Sequence, residues 1–239
     1  MNQPTLLHED RHWLVLNKPS GWHCVETKST DGRPVIETWL RENLESCKEL
    51  PEAGLCHRLD LGTTGCLVVA KWRPIRERLR RAMSGDPAAR PAQKIYVALV
   101  ASGLPPVGRF ELYFYGHDAR VRTSDSGHAE QQGVCCWKLI RPAQPEASDA
   151  TQFDAMEVSL IGPGRRHQIR AGLSHFGHPL ANDQTYEGPA WAEGTGLAAL
   201  HAHRIKLDGT TVIAPPPESW HLEQPVSYTH LTLPTSNSV

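Results

Sequence analysis

Residues 57–65 read HRLDLGTTG and run directly into CLVVA at residues 66–70. An unbroken run of small and branched apolar residues predicts a short buried strand. The charged trio His57, Arg58 and Asp60 therefore stands in the loop that enters this strand. Loops held by a rigid sheet are where catalytic groups tend to lie. Taken alone, the stretch leaves two readings of Asp60 open, a turn-capping aspartate and a catalytic carboxylate.

The rest of the chain alternates strands and helices without a regular βαβ rhythm, which indicates an α+β fold. Strands are predicted at residues 12–16, 66–70, 94–100, 153–161 and 197–207, and helices from Pro34, at 74–83 and at 165–176. In the helix at 74–83, three apolar residues recur every fourth position, and arginines cover most of the remaining surface. We expect this basic helix to contact phosphates without reading sequence.

Composition places the chain among ordinary globular proteins. It has 239 residues, of which 39% are hydrophobic and 21% charged, with a net charge of −1. The six cysteines form no C-x-x-C pair, which favours reduced thiols and a cytoplasmic location over a disulfide framework. The polar N-terminus does not resemble a signal peptide, and no stretch approaches a membrane span.

Several further segments occur in an order that resembles the RluA family of RNA pseudouridine synthases. Besides HRLD and T-T-G, these segments are NKPSG at 17–21, KIYVA at 94–98, GRRHQIR at 164–170, GHPL at 177–180 with Asp183 and Tyr186, and LHA at 200–202. The resemblance covers about residues 6–222. Three positions depart from the family pattern: Thr64 replaces a serine, Gly172 stands where histidine is common, and Asn182 stands where glycine is common.

The resemblance implies a pseudouridine synthase fold, with a mixed, largely antiparallel central sheet flanked by helices and crossed by an RNA-binding cleft. It implies isomerisation of selected uridines in structured RNA, tRNA or rRNA, without metal or other cofactor. It assigns Asp60 as the catalytic carboxylate, Arg170 as its counter-charge and Tyr96 as the aromatic residue against the target base. The substrate-binding residues it implies are Arg58, His57, Thr63, Arg165, His167 and Gln168. Arg58 would occupy the space left by a flipped-out nucleotide.

We expect one catalytic domain over residues 1–225, in a monomer of the short form without an S4-type RNA-binding domain. Residues 226–239 lack charge and pattern, and we set them aside as a disordered or artefactual tail. Residues 109–135 are a candidate recognition loop.

Two other functions stay open at this stage. An RNA-binding protein of the same fold could have lost catalysis, and a metal hydrolase could use the pairs His201 with His203 and His175 with His178. The sequence lacks the H-E-x-x-H pattern that is typical of zinc hydrolases, which argues against the metal hydrolase.

Overall fold

The HRLD loop leads into a strand at the centre of a large sheet. The computed structural model describes residues 2–26, 30, 32–116, 119–144, 146–147, 149–191 and 194–222, so the predicted tail at 226–239 lies outside the described residues. The strands are β1 (Thr5–Glu9), β2 (Trp13–Lys18), β3 (Thr64–Ala70), β4 (Gln93–Val100), β5 (Val107–Tyr115), β6 (Arg122–Ser124), β7 (Gln132–Arg141), β8 (Asp154–Ile161), β9 (Leu200–Leu207) and β10 (Thr210–Ile213). The helices are α1 (Ile36–Asn43), α2 (Arg73–Ser84) and α3 (Gln168–His175).

Within the described ranges these strands form one sheet in the order β1-β2-β3-β9-β4-β8-β7-β5-β6, with β10 beside the far end of β9. The pairing of β3 with β9 is parallel, and the other pairings are antiparallel. The predicted α+β class and the mixed, largely antiparallel sheet are therefore confirmed. Strands β2 and β3 are almost wholly buried, as expected of central strands that are covered on both faces.

The short parallel pairing of β3 with β9 positions the HRLD loop beside the LHA segment. Thr64 pairs with His201, and Gly65 pairs with Ala202. Gly65 has φ +99, and a Cβ at this position would lie 2.3 Å from the carbonyl oxygen of Ala202. Only glycine both adopts this backbone conformation and permits this approach. The glycine of the T-T-G element is thus required by the geometry of the sheet.

The region expected to be a recognition loop at 109–135 is largely sheet, and that prediction was wrong. Phe110, Leu112 and Phe114 of β5 alternate with more exposed residues, and Cys135 and Trp137 continue the same buried face on β7. This period of two is the ordinary signature of a half-buried antiparallel strand. Strands β1 and β10 were missed as well, because each has only four or five residues.

Two helices differ in detail from their sequence predictions. Helix α3 begins at Gln168 and not at Arg165, because His167 before it adopts left-handed backbone angles, φ 54 and ψ 20. On α2, Arg76 points inward: it is 6% exposed, binds the carbonyl of Leu55 and pairs with Glu52. The helix therefore carries fewer free arginines than its sequence suggests.

Candidate active site

A cleft of about 810 Å³ opens across the sheet above the HRLD loop. Its floor carries Asp60 from that loop and Tyr96 from β4, and one side is formed by the loop at 164–167 and the start of α3. The C-terminal part of α2 contributes Arg80 to the opposite rim. The six candidate substrate-binding residues and the three candidate catalytic residues all line this one cleft.

Asp60 is joined to a buried ion network. Arg170 Nη1 donates to Asp60 Oδ2 at 3.0 Å, while Arg170 Nε and Nη2 donate to Asp183 Oδ2 and Oδ1 at 2.7 and 2.8 Å. The Asp183 side chain is fully buried, whereas that of Asp60 is 29% exposed. Burial alone would lower the pKa of Arg170, but the hydrogen bonds that it donates to Asp183 and the charge of Asp60 outweigh burial and raise the pKa. Arg170 is therefore a fixed cation that presents one N–H to Asp60.

The loop around Asp60 is held from below by two side chains of the N-terminal segment. The fully buried Lys18 donates through Nζ to the carbonyls of Thr63, Pro19 and Leu61 at 2.8, 3.1 and 3.2 Å. Burial lowers the pKa of Lys18 to about 8. Cys24 Sγ accepts the Leu59 N–H at 3.2 Å and lies 3.3 Å from the Leu59 carbonyl. The backbone is thus held on both sides of Asp60.

Tyr96 lies beside an irregularity in the sheet. The register between β4 and β9 shifts between Ile95 and Val97, so two residues of β9 oppose Tyr96. Such bulges re-aim side chains and are frequent near active sites. The side chain is buried, and burial together with the charge of Asp60 raises its pKa. Among the residues that the structure describes, its hydroxyl has no hydrogen-bond partner, so it remains available to a ligand in the cleft.

Two of the candidate substrate-binding residues are occupied by the scaffold. His57 Nε2 accepts the Val68 N–H at 3.0 Å, and the ring also bonds to the backbone of Arg58. Burial lowers the pKa of His57 to about 3, so the imidazole is neutral at neutral pH. Thr63 is 2% exposed, and its N–H closes a turn on the Asp60 carbonyl at 3.1 Å. This geometry favours a role in shaping the loop for both residues.

The loop before α3 is held by Gln168. Its side chain accepts the Arg165 N–H at 2.8 Å and donates to the Val134 carbonyl at 3.1 Å. Arg165 Nε donates to the Gln132 carbonyl at 2.8 Å, which leaves the rest of its guanidinium on the cleft side. His167 Nε2 stands 3.8 Å from Asp60 Oδ2. Gln168 therefore anchors the loop that carries the other two residues.

Arg58 and Arg80 line the cleft as exposed cations. Arg58 makes no ion pair within the described residues, whereas Arg80 stands 3.7 Å from Glu52. The buried Lys94 also faces the cleft and joins its two walls, because its Nζ donates to the carbonyls of Met83 at 2.9 Å and Gly162 at 3.1 Å. Burial lowers its pKa to about 8. The cleft is thus rich in cations, which suits a polyanionic ligand.

The three departures from the family pattern have local explanations. A Cβ on Gly172 would lie 2.2 Å from the ring of Phe110, so this phenylalanine fills the space that a larger residue on α3 would need. Asn182 has φ 58, which asparagine tolerates better than most residues, and its amide bonds to Trp191 N and O at 2.8 and 2.9 Å. Thr64 Oγ1 lies 2.7 Å from His201 Nδ1, a contact that a serine hydroxyl would also make.

Sequence reasoning gave no role to three residues that shape the site, Lys18, Asp183 and Tyr186. Each belongs to a segment quoted for the resemblance, but a motif does not show which side chains touch. One signal was available for Lys18, because it ends the apolar strand WLVLNK and is followed by proline. Nothing local to Asp183 indicates its contact with Arg170, thirteen residues away along the chain.

The histidine pairs considered for metal binding have other partners. His201 Nε2 and His203 Nδ1 lie 3.0 and 2.8 Å from the same carbonyl of Ala214, and His178 Nδ1 lies 3.1 Å from the carbonyl of Ala101. Across the described ranges, no three histidine, cysteine or acidic side chains are grouped closely enough to hold a metal ion. None of the helices there has the length and apolar character needed to span a membrane.

Comparisons with known proteins identify the family. A family described as RNA pseudouridylate synthase matches residues 12–175. Ribosomal large subunit pseudouridine synthase D of Yersinia pestis is 31% identical over 216 residues, which cover 84% of this chain and 62% of that protein. Dual-specificity RNA pseudouridine synthase RluA of Escherichia coli (strain K12) is 29% identical over 206 residues, covering 84% of this chain and 85% of that protein.

A solved structure supports the same fold. Human RNA Pseudouridylate Synthase Domain Containing 4 is 20% identical with a TM-score of 0.64, over 92% of this chain and 94% of that one. The structural likeness shows a shared fold, and the family match shows that this chain belongs to the RNA pseudouridylate synthase family. The chain spans less than two thirds of the length of the relatives named synthase D, 62% for the Yersinia pestis protein.

Proposed function

We propose that this chain isomerises selected uridines of structured RNA to pseudouridine, with Asp60 as the catalytic carboxylate. The observation that carries the proposal is the Asp60–Arg170–Asp183 network on the floor of a cation-lined cleft. It leaves one partly exposed carboxylate in the position where a bound nucleotide would meet it. The supporting relatives are named as pseudouridine synthases that act on RNA.

The reaction is a balanced rearrangement that needs no external oxidant. The bond from ribose C1′ to uracil N1 breaks, the base turns, and a bond from C1′ to C5 forms. The proton on C5 is lost and N1 gains one, so the base keeps its composition. Asp60 acts as the carboxylate at the sugar or at the base, and Arg170 holds it in orientation through the hydrogen bond of 3.0 Å.

Tyr96 is the proposed group against the target base. Its buried ring supplies an apolar stacking surface, and its hydroxyl stands beside Asp60 in the same cleft. Because burial and the nearby Asp60 charge raise its pKa, the phenol stays protonated at neutral pH. It can therefore donate a hydrogen bond to the base, and it can take up the C5 proton only if it gives its own proton to a stronger base at the same time.

The target uridine must leave the RNA stack to enter this cleft, at a cost of a few kcal/mol. We propose that Arg58 fills or stabilises the vacated position, because its guanidinium is exposed at the mouth of the cleft without an acidic partner among the described residues. Arg165 and Arg80 flank the opening and are proposed phosphate contacts. Three other arginines of α2 are not proposed as phosphate contacts, because Arg76, Arg78 and Arg81 pair with acidic groups.

We further propose that the substrates are tRNA or rRNA sites, as the names of the relatives suggest. Residues 1–225 would act as one catalytic domain, as a monomer in the cytoplasm. No metal or other cofactor is required by the proposed chemistry.

The test is tritium release from RNA labelled at uridine C5, first with total tRNA and then with rRNA transcripts. Wild-type protein should release tritium in stoichiometric amounts at defined sites, and Asp60→Asn should release none. The matched control is Asp208→Asn in the turn between β9 and β10, where φ is 51 and asparagine fits the backbone equally well. Asp208 does not line the cleft, and the change weakens only a solvent-accessible ion pair with Arg78. This control should keep full activity, and equal activity of Asp60→Asn and wild type would refute the proposed role.

The alternative of an inactive RNA-binding protein gives a different result in the same experiment. It predicts RNA binding by the wild type and by Asp60→Asn alike, with no tritium release from either in any RNA tested. The geometry does not favour this alternative, because the side chains around Asp60 are arranged in an unbroken hydrogen-bonded network.

A further inference from the structure

The short turn after α3 reaches two different neighbours of Asp60. Asp183 precedes this turn and accepts two hydrogen bonds from Arg170. Tyr186 ends the turn, and its N–H bonds to the Asp183 carbonyl at 3.0 Å. The ring of Tyr186 is 3% exposed and packs edge-on against the imidazole of His167, with 5.8 Å between centroids. One turn therefore supports both Arg170 and His167.

The hydroxyl of Tyr186 links His167 to another segment. It lies 3.1 Å from His167 Nδ1, accepts the Val121 N–H at 3.0 Å and lies 3.3 Å from the Val121 carbonyl. A phenol has one hydrogen and two lone pairs, so it can accept the Val121 N–H while its own hydrogen goes to one of two acceptors, His167 Nδ1 at 3.1 Å or the Val121 carbonyl at 3.3 Å. We assign the hydrogen to the shorter contact, with the imidazole. In that arrangement His167 carries its hydrogen on Nε2, the atom that faces Asp60 Oδ2 at 3.8 Å.

The backbone of His167 supports a functional reading of this contact. A histidine at φ 54 is uncommon, and such strain persists where the surroundings hold it. Burial lowers the pKa of His167, the charges of Arg170 and Arg166 lower it further, and those of Asp60 and Asp183 oppose the shift. A neutral ring is the form that can accept a hydrogen bond from the Tyr186 hydroxyl. At 3.8 Å the imidazole is just outside hydrogen-bond range of Asp60, and a small shift of either side chain would bring the two into contact.

Val121 belongs to the segment between β5 and β6, whose Ala119 lines the cleft. Its neighbour Arg120 pairs with Glu187 at 2.7 Å and stands over the ring of Tyr186, 5.4 Å from the centroid. The 119–121 segment is therefore docked on the turn through four contacts, and three of them involve Tyr186.

We propose that Tyr186 is a positioning residue for Asp60, whose hydroxyl ties the cleft wall at Val121 to the imidazole of His167 and, through that imidazole, aligns the carboxylate when RNA fills the cleft. The proposal rests on the proposed synthase function. In this proposal Tyr186 does not contact the substrate. His167 acts as a partner of Asp60 and not as a nucleotide-binding residue.

The test is a double-mutant cycle in single-turnover tritium release at saturating RNA, with Tyr186→Phe, His167→Asn and the pair. Asparagine is chosen because it tolerates the left-handed backbone. Tyr186→Phe keeps the ring and removes one hydrogen-bonding group, so the rate constant should fall about tenfold while the RNA Kd stays within about twofold. If the hydroxyl acts through His167, the double variant should be no slower than His167→Asn alone. Tyr115→Phe, at a 40% exposed position on β5, is the matched control and should match wild type.

Additive losses in the double variant would overturn the proposal, as would an unchanged rate in Tyr186→Phe or a loss confined to the RNA Kd. A second measurement needs neither catalysis nor RNA: the ¹⁵N shifts of the His167 ring in the wild-type protein at neutral pH. They should report a neutral ring with hydrogen on Nε2, and a charged ring or hydrogen on Nδ1 alone would overturn the proposal even if Tyr186→Phe failed to fold. A wild type that converts no uridine would refute the synthase function and leave the ring measurement valid.

Discussion

Replacing Asp183 by asparagine should damage stability and activity together, although Asp183 does not face the cleft. The change removes a fully buried charge and places an amide N–H₂ where Arg170 needs an acceptor. Removing one partner of a buried ion pair costs about 3–5 kcal/mol. Because Arg170 keeps its hydrogen bond of 3.0 Å to Asp60, we expect the lower end, about 3 kcal/mol of unfolding free energy. The released guanidinium should misplace Asp60, and a displacement of about 1 Å can cost about 100-fold in rate.

Asp60→Asn should abolish activity with little loss of stability, unlike Asp183→Asn. Asp60 is 29% exposed and Arg170 would stay clamped by Asp183, so stability should change by less than about 1 kcal/mol while activity disappears. Urea unfolding followed by tryptophan fluorescence measures the first quantity, and single-turnover tritium release measures the second. If the free energy of unfolding of Asp183→Asn lies within about 0.5 kcal/mol of the wild-type value and its single-turnover rate constant is unchanged, the hydrogen bonds between Asp183 and Arg170 contribute nothing to stability or activity. A larger stability loss in Asp60→Asn than in Asp183→Asn would also refute the reasoning.

Three further predictions concern the scaffold and the RNA surface. The pKa of His57 falls from 6.5 to about 3 on folding, so between those values only the unfolded chain binds this proton. The free energy of unfolding should therefore decrease as the pH falls from about 6.5 to about 3, and urea melts of His57→Gln should show a smaller decrease. Gly172→Ala should cost about 1–3 kcal/mol by overlap with Phe110, and Phe110→Leu should relieve part of that cost in the double variant, whereas strictly additive urea-melt losses would argue against the contact. Arg58→Gln should weaken RNA binding and reduce the slope of log K against log salt by up to about 0.9, and a filter-binding series with an unchanged slope would remove Arg58 from the phosphate contacts.

The sequence predicted the central elements because their signals are local. CLVVA at 66–70 and KIYVALV at 94–100 are apolar enough to be strands wherever they lie, and both are central strands of the sheet. The strand pair β5 and β7 was missed although its buried residues alternate, because the long connection between the two strands reads as loop. The inward turn of Arg76 depends on Glu52 and the Leu55 carbonyl, twenty or more residues away, and no helical periodicity reveals such partners.

For the candidate site, too, the sequence predicted some features and not others. The motifs selected Asp60, Tyr96 and Arg170, and the structure places all three in one cleft. Which residues touch the ligand and which hold the loop could not be predicted, because that depends on side-chain contacts across distant segments. His57 and Gln168 come from the same motifs as the candidate catalytic groups, yet their polar atoms are taken up by the backbone of β3 and β7.

The contacts of Arg170 support the proposal that Asp60 is the carboxylate available for chemistry. Two aspartates meet Arg170, and burial decides between them: Asp183 has no exposed side-chain surface and spends both oxygens on the guanidinium, whereas Asp60 uses one oxygen and keeps 29% of its side chain open. A buried charge is tolerated only when it is paired, so Asp183 cannot leave Arg170 to take part in a reaction. Asp60 can meet a nucleotide without unpairing Arg170, because Asp183 continues to neutralise it. Because both residues are aspartates, the catalytic role proposed for Asp60 follows from its exposure and its contacts and not from its residue type.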